Sequence, residues 1–372
     1  MGDNNNKLGF AELLEDCSSK GTKLKTDDYL LEGKYAIVDQ GQQLIAGYTD
    51  IEDGVYADIP AIIFGDHTRV VKYVDVPFFL GADGTKLLKV KKTGANYKYL
   101  YYALKAAHIP NTGYNRHFKW VKELEFNYPS DEEQMKIVEL LDRLQSLMDK
   151  RNEQLEELDT LIKARFVELF GEPEHNTKGL PTDTLGNLCS VGSSKRIYKS
   201  EQTMEGIPFL RISDLVNLID SGTLKSDLNI SEERYSELVY QGQVPVAGDI
   251  LVTSRGTLGR CYIVGSDDRF YFQDGMISWL SNLSSSITPL YVSFLFSMEG
   301  FRKQIDKMQA GSTVSYLSIT MLKKLEIMIP SSELQELFAA FVAQVDKSKV
   351  AVQKSLDELQ ILFDSLMQEY FG

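Results

Sequence analysis

The segment GDHTRVVKYVD sets His67, Thr68, Arg69 and Lys72 around a turn between two strand-like runs. An arginine at such a tip can grip the guanine O6 and N7 edge with two parallel hydrogen bonds, whereas lysine and threonine suit phosphate oxygens. KLLKVKK adds Lys86, Lys89, Lys91 and Lys92, and Asn115, Arg116, His117 and Lys119 form a third polar loop. The second half of the chain offers Ser193, Ser194, Lys195, Arg196 and Lys199, then Ser254, Arg255, Thr257 and Arg260, then Ser312, Thr313, Ser315 and Tyr316. As groups, these loops have the chemistry of contacts to double-stranded DNA. Each also fits a plain solvated strand end, and residue type alone does not separate base contacts from phosphate contacts.

Motifs for catalysis are missing. An adenine methyltransferase pocket needs a Pro-Pro pair, and none occurs; nor does the phosphate-binding GxxxxGK[ST] loop. The acid-x-Lys triplet of a metal-dependent nuclease appears as Glu32-Gly33-Lys34, without an upstream Pro-Asp. His67, His108, His117 and His175 are scattered, and Cys17, Cys189 and Cys261 form neither a zinc pattern nor a disulfide framework. No catalytic residue, metal site or cofactor is expected in this polypeptide.

What must hold the loops is written twice. Residues 330–372 align without a gap on residues 129–171 at an offset of 201, with Pro129/Pro330, Gln134/Gln335, Leu155/Leu356, Leu158/Leu359, Phe170/Phe371 and Gly171/Gly372 among the identical pairs. A polar start after proline and a Phe-Gly end frame each copy as a helix. Within the first, apolar residues recur at steps of four and three through Ile137, Leu141, Leu144, Met148, Leu155, Leu158, Ile162 and Leu169. The second keeps the same phase through Phe338, Val342, Val345, Val352, Leu356, Leu359, Phe363, Leu366 and Tyr370. A sustained period of 3.5 predicts a coiled-coil seam. Leu140, Leu147, Leu161, Phe166, Phe341, Leu362 and Met367 widen the stripe, leaving surface for further helices.

The 372 residues suit two or three domains, and the 43% hydrophobic content fits a globular protein. No apolar run is long enough to span a bilayer and MGDNNNK does not read as a signal peptide, so a cytoplasmic protein without membrane association is expected. The net charge of −13 disfavours phosphate contact until it is divided by region. Residues 130–171 contribute 6 − 11 = −5 and residues 331–372 contribute 3 − 7 = −4, so nine of the thirteen negative charges lie on the helices. If DNA is the ligand, the nearly neutral globules bind it.

Along the chain, YAIVDQG, QLIAGY, PAIIFGDHTRVVKYV and VPFFLGADG read as strands and NYKYLYYALKAAH as a helix packed on them. GEPEHNTKGLP reads as a hinge at a domain boundary. Strand-like GDILVTSRGTLGRCYIV and ISWL follow, then TPLYVSFLFSMEGFRKQI as the matching helix. The expected architecture is α+β: sheet-rich domains at 1–128 and 172–329, each followed by a long helix at 129–171 and 330–372. The helices pair as an antiparallel coiled coil with pseudo-two-fold symmetry.

Leu-Gly near each globule's start, EGIPFLRISDL (Glu205 to Leu215), GDIL followed by RGTLG (Gly248 to Gly259), the GS-x-V segment from Gly311, and Ile329-Pro330 with Gln335 together resemble type I restriction-modification specificity subunits over nearly the whole chain. The resemblance implies target-recognition domains that each read half of a bipartite, asymmetric DNA site. It implies helices that set the gap and dock two methyltransferase subunits. S-adenosylmethionine is then expected on those subunits, and ATP with Mg on a restriction and translocation subunit where one accompanies them. GKYAIVDQGQQLIAGY (Gly33 to Tyr48) stands where the second globule has EGIPFLRISDL, so the half-sites are expected to differ. The rival reading is a coiled-coil structural adaptor that recruits protein partners without reading DNA.

Overall fold

The computed structural model describes residues 7–81, 83–309 and 315–372. The chain divides into two compact units, Met1–Glu153 with Gln353–Gly372, and Gln154–Val352. Both divisions fall inside the long helices Asp131–Phe170 and Ser332–Phe371, each of 40 residues. Each unit therefore owns one globule and a part of both helices.

The first unit contains strands β1 (Lys7–Gly9), β2 (Leu14–Asp16), β3 (Tyr35–Val38), β4 (Gly47–Thr49), β5 (Ala61–Gly65), β6 (Val71–Val74), β7 (Phe78–Leu80), β8 (Thr85–Val90) and β9 (Glu125–Asn127). They form a sheet of order β2-β8-β5-β6, a sheet of order β4-β3-β7 and the pair β1-β9. In the smaller sheet β3 runs antiparallel to β4 and parallel to β7. β5 is apolar and buried at every position, the pattern of a strand covered on both faces. Its Ile62 and Phe64 join a core with the helix Tyr97–Ala106 and with Ile137, Leu141, Leu144, Met148, Phe363 and Met367 of the long helices. Asn96 caps that helix by accepting from the Tyr99 amide, and Tyr99 donates its hydroxyl to the Asn127 carbonyl at 2.8 Å. The sequence therefore uses Tyr99 as a buried strut.

The second unit repeats this plan with β10 (Thr182–Thr184), β11 (Ser190–Gly192), β12 (Gln202–Thr203), β13 (Ile207–Leu210), β14 (Asn229–Ile230), β15 (Ile250–Thr253), β16 (Cys261–Ile263), β17 (Tyr271–Phe272), β18 (Ile277–Ser281) and β19 (Glu326–Met328). Its sheets are β11-β18-β15-β16, β12-β14-β13-β17 and β10-β19. β13 is antiparallel to β14 and parallel to β17, as β3 is to β4 and β7. Tyr291, on the Thr288-capped helix Pro289–Ser297, donates to the Met328 carbonyl at 2.9 Å and so matches Tyr99. The second unit adds the helix Ile212–Ser221 between β13 and β14, where the first has only the turn from Asp39 to Ala46, together with β12 and the helix Glu232–Tyr240.

In each unit the long-helix segments run antiparallel. In the second unit Phe338 sits edge-on against Phe166 and Phe170 at 5.5 and 5.4 Å, and further along Lys349 pairs with Asp159. In the first, Tyr102 touches Asp142 of the first helix through its hydroxyl and Phe363 of the second through its ring. The seam residues Leu155, Leu158, Val352, Leu356, Leu359, Leu366 and Tyr370 are half-buried, and the other ten seam residues are buried. The widened stripe divides: Phe166 and Met367 are buried and Phe341 is half-buried, whereas Leu140, Leu147, Leu161 and Leu362 face outward.

Two expectations change. The segment from Thr288 to Ile305 is two helices, Pro289–Ser297 and Glu299–Gln309, broken at Met298. The break lets Gly300 come so close to the linker that a Cβ there would sit 2.9 Å from the Glu174 amide nitrogen. The linker from Gly171 to Pro181 is correspondingly a braced loop within the second unit, with Glu174 bonded to Lys303 at 2.7 Å and Asn176 making two hydrogen bonds to Leu180.

Candidate nucleic-acid interface

In the first unit the β5–β6 hairpin closes with the Gly65 amide donating to the Val70 carbonyl at 2.8 Å. Arg69 takes φ 62°, a left-handed conformation seldom adopted by a side-chain-bearing residue, and its guanidinium donates to the Ile109 carbonyl at 3.1 Å. Asp66 is buried and fastens the loop that leads toward the first long helix. Its carbonyl accepts from the His117 amide at 2.8 Å and from the His117 ring at 2.9 Å, and its carboxylate accepts from the Phe118 amide at 2.8 Å. Gln40 anchors the other side, accepting from the Thr68 hydroxyl and the His67 amide. Three segments remote in sequence thus meet at one tip. His67 lies parallel to Tyr114 there, with ring centres 4.6 Å apart and planes 8° apart, and Tyr114 is 87% exposed. Thr68, Asn115, Arg116 and Lys119 are exposed around them.

Several sequence candidates lie elsewhere. Lys72 is buried beside Asp39, its Nζ 3.5 Å from the carboxylate, and burial pushes its ammonium pKa down. Lys89 donates to the Asp58 and Pro60 carbonyls and to the Asp58 carboxylate within 3.0 Å. His117 is fully buried. These three side chains are spent on internal partners, so the expectation that they touch DNA is corrected to one of support. Nor does the lysine run form one patch. Lys86 bonds Asp16, Lys91 bonds the Ala11 carbonyl and Lys92 lies over the Tyr128 ring.

In the second unit the β15–β16 hairpin closes at the same rung, the Thr253 amide donating to the Arg260 carbonyl at 2.9 Å. Ser254 is buried, shares a 2.7 Å hydrogen bond with the Ser278 hydroxyl, and accepts the Leu317 amide on its carbonyl. Arg255 is exposed, forms a β-bridge with Tyr316, and carries its guanidinium 5.2 Å above that ring. Ser193 accepts from the Gly275 amide and donates to the Ile277 carbonyl, while Arg196 bonds Asp274 at 2.9 Å. The loops at 193–196, 254–257, 273–277 and 315–317 therefore converge. Thr257, Lys195, Lys199 and Ser315 are exposed. Ser194 is buried on the Phe272 carbonyl, and Arg260 is engaged by both oxygens of Asp220, whose carboxyl it holds below the usual range. Both are thereby corrected from contact to support. Ser312 and Thr313 lie outside the described residues.

Sequence reasoning missed Tyr114, Asp66 and Gln40. Tyr114 had a signal, since it adjoins Asn115 in the same loop, whereas Asp66 and Gln40 act only through partners about 30 to 50 residues away. Among the described residues no group of His, Cys, Asp and Glu is placed to hold a metal, and no helix is long and apolar enough to cross a membrane.

The family model of the type I restriction modification DNA specificity domain matches residues 10–157 and again 179–360. A putative type I restriction enzyme specificity subunit of Haemophilus influenzae is 27% identical over 187 residues, 50% of this chain and 44% of that protein. A type I restriction enzyme specificity subunit of Methanocaldococcus jannaschii is 25% identical over 272 residues, 66% of this chain and 60% of its own. The aligned stretches thus span about half the length of these relatives. A crystal structure of a type I restriction-modification S subunit from M. genitalium shares the fold, with a TM-score of 0.55 at 20% identity, over 100% of this chain and 98% of that one.

Proposed function

The chain belongs to the type I restriction-modification DNA specificity family, and we propose that it is the sequence-reading subunit of such a complex. Each globule reads one half of a bipartite, asymmetric site through its loop cluster. The observation that carries this is the pairing of like frames with unlike tips: beyond the same hairpin rung stand His67 and Thr68 beside Tyr114 in one unit and Arg255 and Thr257 beside Tyr316 in the other. A scaffold has no use for two different heads.

The long helices set the gap and dock two methyltransferase subunits. Apolar residues left outward on them support this, notably Met135, Leu140 and Leu147 in the first unit and Leu161, Leu337 and Val350 in the second. In this reading methylation of adenine with S-adenosylmethionine, and any ATP-driven cleavage, belong to the partner subunits, and the chain itself is non-catalytic and cytoplasmic. The test is to co-express the chain with the methyltransferase encoded beside it and map modified adenines by long-read sequencing. A split asymmetric motif with methylation on opposite strands is expected; an assembled, active complex without one refutes the reading.

A further inference from the structure

The two tips share a device that the sequences hide. Counting from the strand residue that closes each hairpin, Gly65 or Thr253, the second residue out is His67 in one unit and Arg255 in the other. Each is held by a tyrosine from the segment leading to β9 or β19, Tyr114 by stacking at 4.6 Å and Tyr316 by a β-bridge and a cation–π contact at 5.2 Å. The geometry points to His67 and Arg255 as equivalent base-reading residues, positioned by Tyr114 and Tyr316, that demand opposite hydrogen-bonding partners in the two half-sites. This deepens the reading above and rests on it.

The chemistry fixes the demands. A guanidinium carries donors only, so Arg255 takes a base edge with two acceptors, the O6 and N7 of guanine. The His67 ring lies with Nδ1 3.2 Å from the Asn115 carbonyl, which can only accept, so Nδ1 carries the hydrogen. In the neutral ring Nε2 is then an acceptor, and it takes a base that offers an exocyclic amino group, adenine or cytosine. The tyrosines fix each reader in one direction, which a free side chain on a turn would lack.

The test uses the assembled methyltransferase complex and its methylated motif. Arg255→His is expected to lower the preference for guanine at one position of one half-site about ten- to hundred-fold, leaving the other half unchanged. His67→Arg is expected to impose guanine at one position of the opposite half. Arg255→Lys, a milder change that keeps the charge but loses the fork, relaxes the same guanine. Tyr316→Ala relaxes that position too, and Tyr316→Phe restores it. An active complex whose motif is unchanged in all these variants, or whose methylation falls equally at every site, overturns the inference while leaving half-site reading intact. A wild-type complex with no split motif overturns both.

Discussion

The repeated glutamine at the start of each long helix has unequal work in the two units. Gln335 is buried; its amide nitrogen donates to the Ser286 carbonyl at 2.8 Å and the Pro330 carbonyl at 3.1 Å, and its oxygen accepts the Thr288 amide at 2.8 Å. Gln134 is equally buried but donates only to the Pro129 carbonyl at 2.9 Å, and its oxygen has no partner among the described residues. A net hydrogen bond is worth about 1 kcal/mol, and a buried group left unpaired costs about 1 to 3. Gln335→Leu removes three bonds and strands the Thr288 amide, so it should cost about 3 to 5 kcal/mol. Gln134→Leu removes one bond and one unpaired oxygen, so it should cost at most about 1 kcal/mol. At roughly 2 to 4 °C per kcal/mol for a unit of this size, the first lowers the melting temperature of its unit by about 10 °C and the second by a few degrees. Thermal unfolding, with hydrogen exchange on peptides covering 286–292 and 129–138 to assign each transition, measures both. Equal losses, or a larger loss for Gln134→Leu, would refute the bonding argument.

Phe338→Ala should destabilise the second unit by about 3 to 5 kcal/mol, because a fully buried ring packed on Phe166, Phe170 and Phe294 leaves a cavity; chemical denaturation reads it, and a cost below about 1 kcal/mol counts against the helix pairing. Lys119→Ala should weaken DNA binding by the assembled complex alike on all sequences and lessen the salt slope by about 1, the signature of one lost phosphate contact. A changed motif in that variant would instead mark Lys119 as a base reader. For Asp220, held below its ordinary value of 3.8 by Arg260, the ion pair contributes stability above that value and loses it as pH falls through the lower folded value. The penalty of Asp220→Asn, measured by melting from pH 7 downward, should therefore be constant to about pH 4 and shrink below it; a penalty that grows on acidification contradicts the sign.

The helices were legible because a 3.5-residue period and a fixed offset are local properties of the chain. The strands β5, β6, β15 and β16 were legible for the same reason, as apolar runs around polar turns. Burial of charge was not. Lys72, Lys89 and His117 look like surface donors until Asp39, Asp58 and Asp66 arrive beside them from distant parts of the chain. The break at Met298 was likewise invisible, since PLYVSFLFSMEGFRKQ has continuous helical character and the linker that packs close to Gly300 comes from more than a hundred residues away.

The comparison of the units with each other separates frame from reader without any second protein. Tyr99 and Tyr291 bond the closing strands in the same way, and β1-β9 and β10-β19 close the globules alike; these features are what a fixed mount requires. Besides β12 and the helix Glu232–Tyr240, which only the second unit has, the differences lie in the hairpin tips and in the segment between β3 and β4 or β13 and β14. There the second unit lays the helix Ile212–Ser221 against β13, β15 and β16, and the Arg260–Asp220 pair ties that helix to the foot of its tip. The first unit has no such helix, and a cleft lined by Gln42, Leu44 and Lys72 opens beside β6. Both tips share one brace, the His117 amide on the Asp66 carbonyl and the Leu317 amide on the Ser254 carbonyl; the first unit adds Arg69 on Ile109, the Phe118 amide on the Asp66 carboxylate, and the His67 amide and Thr68 hydroxyl on Gln40. A shared brace with different additions around one hairpin rung is what a duplicated mount would acquire if each reader had to be held rigid while pointing at a different base.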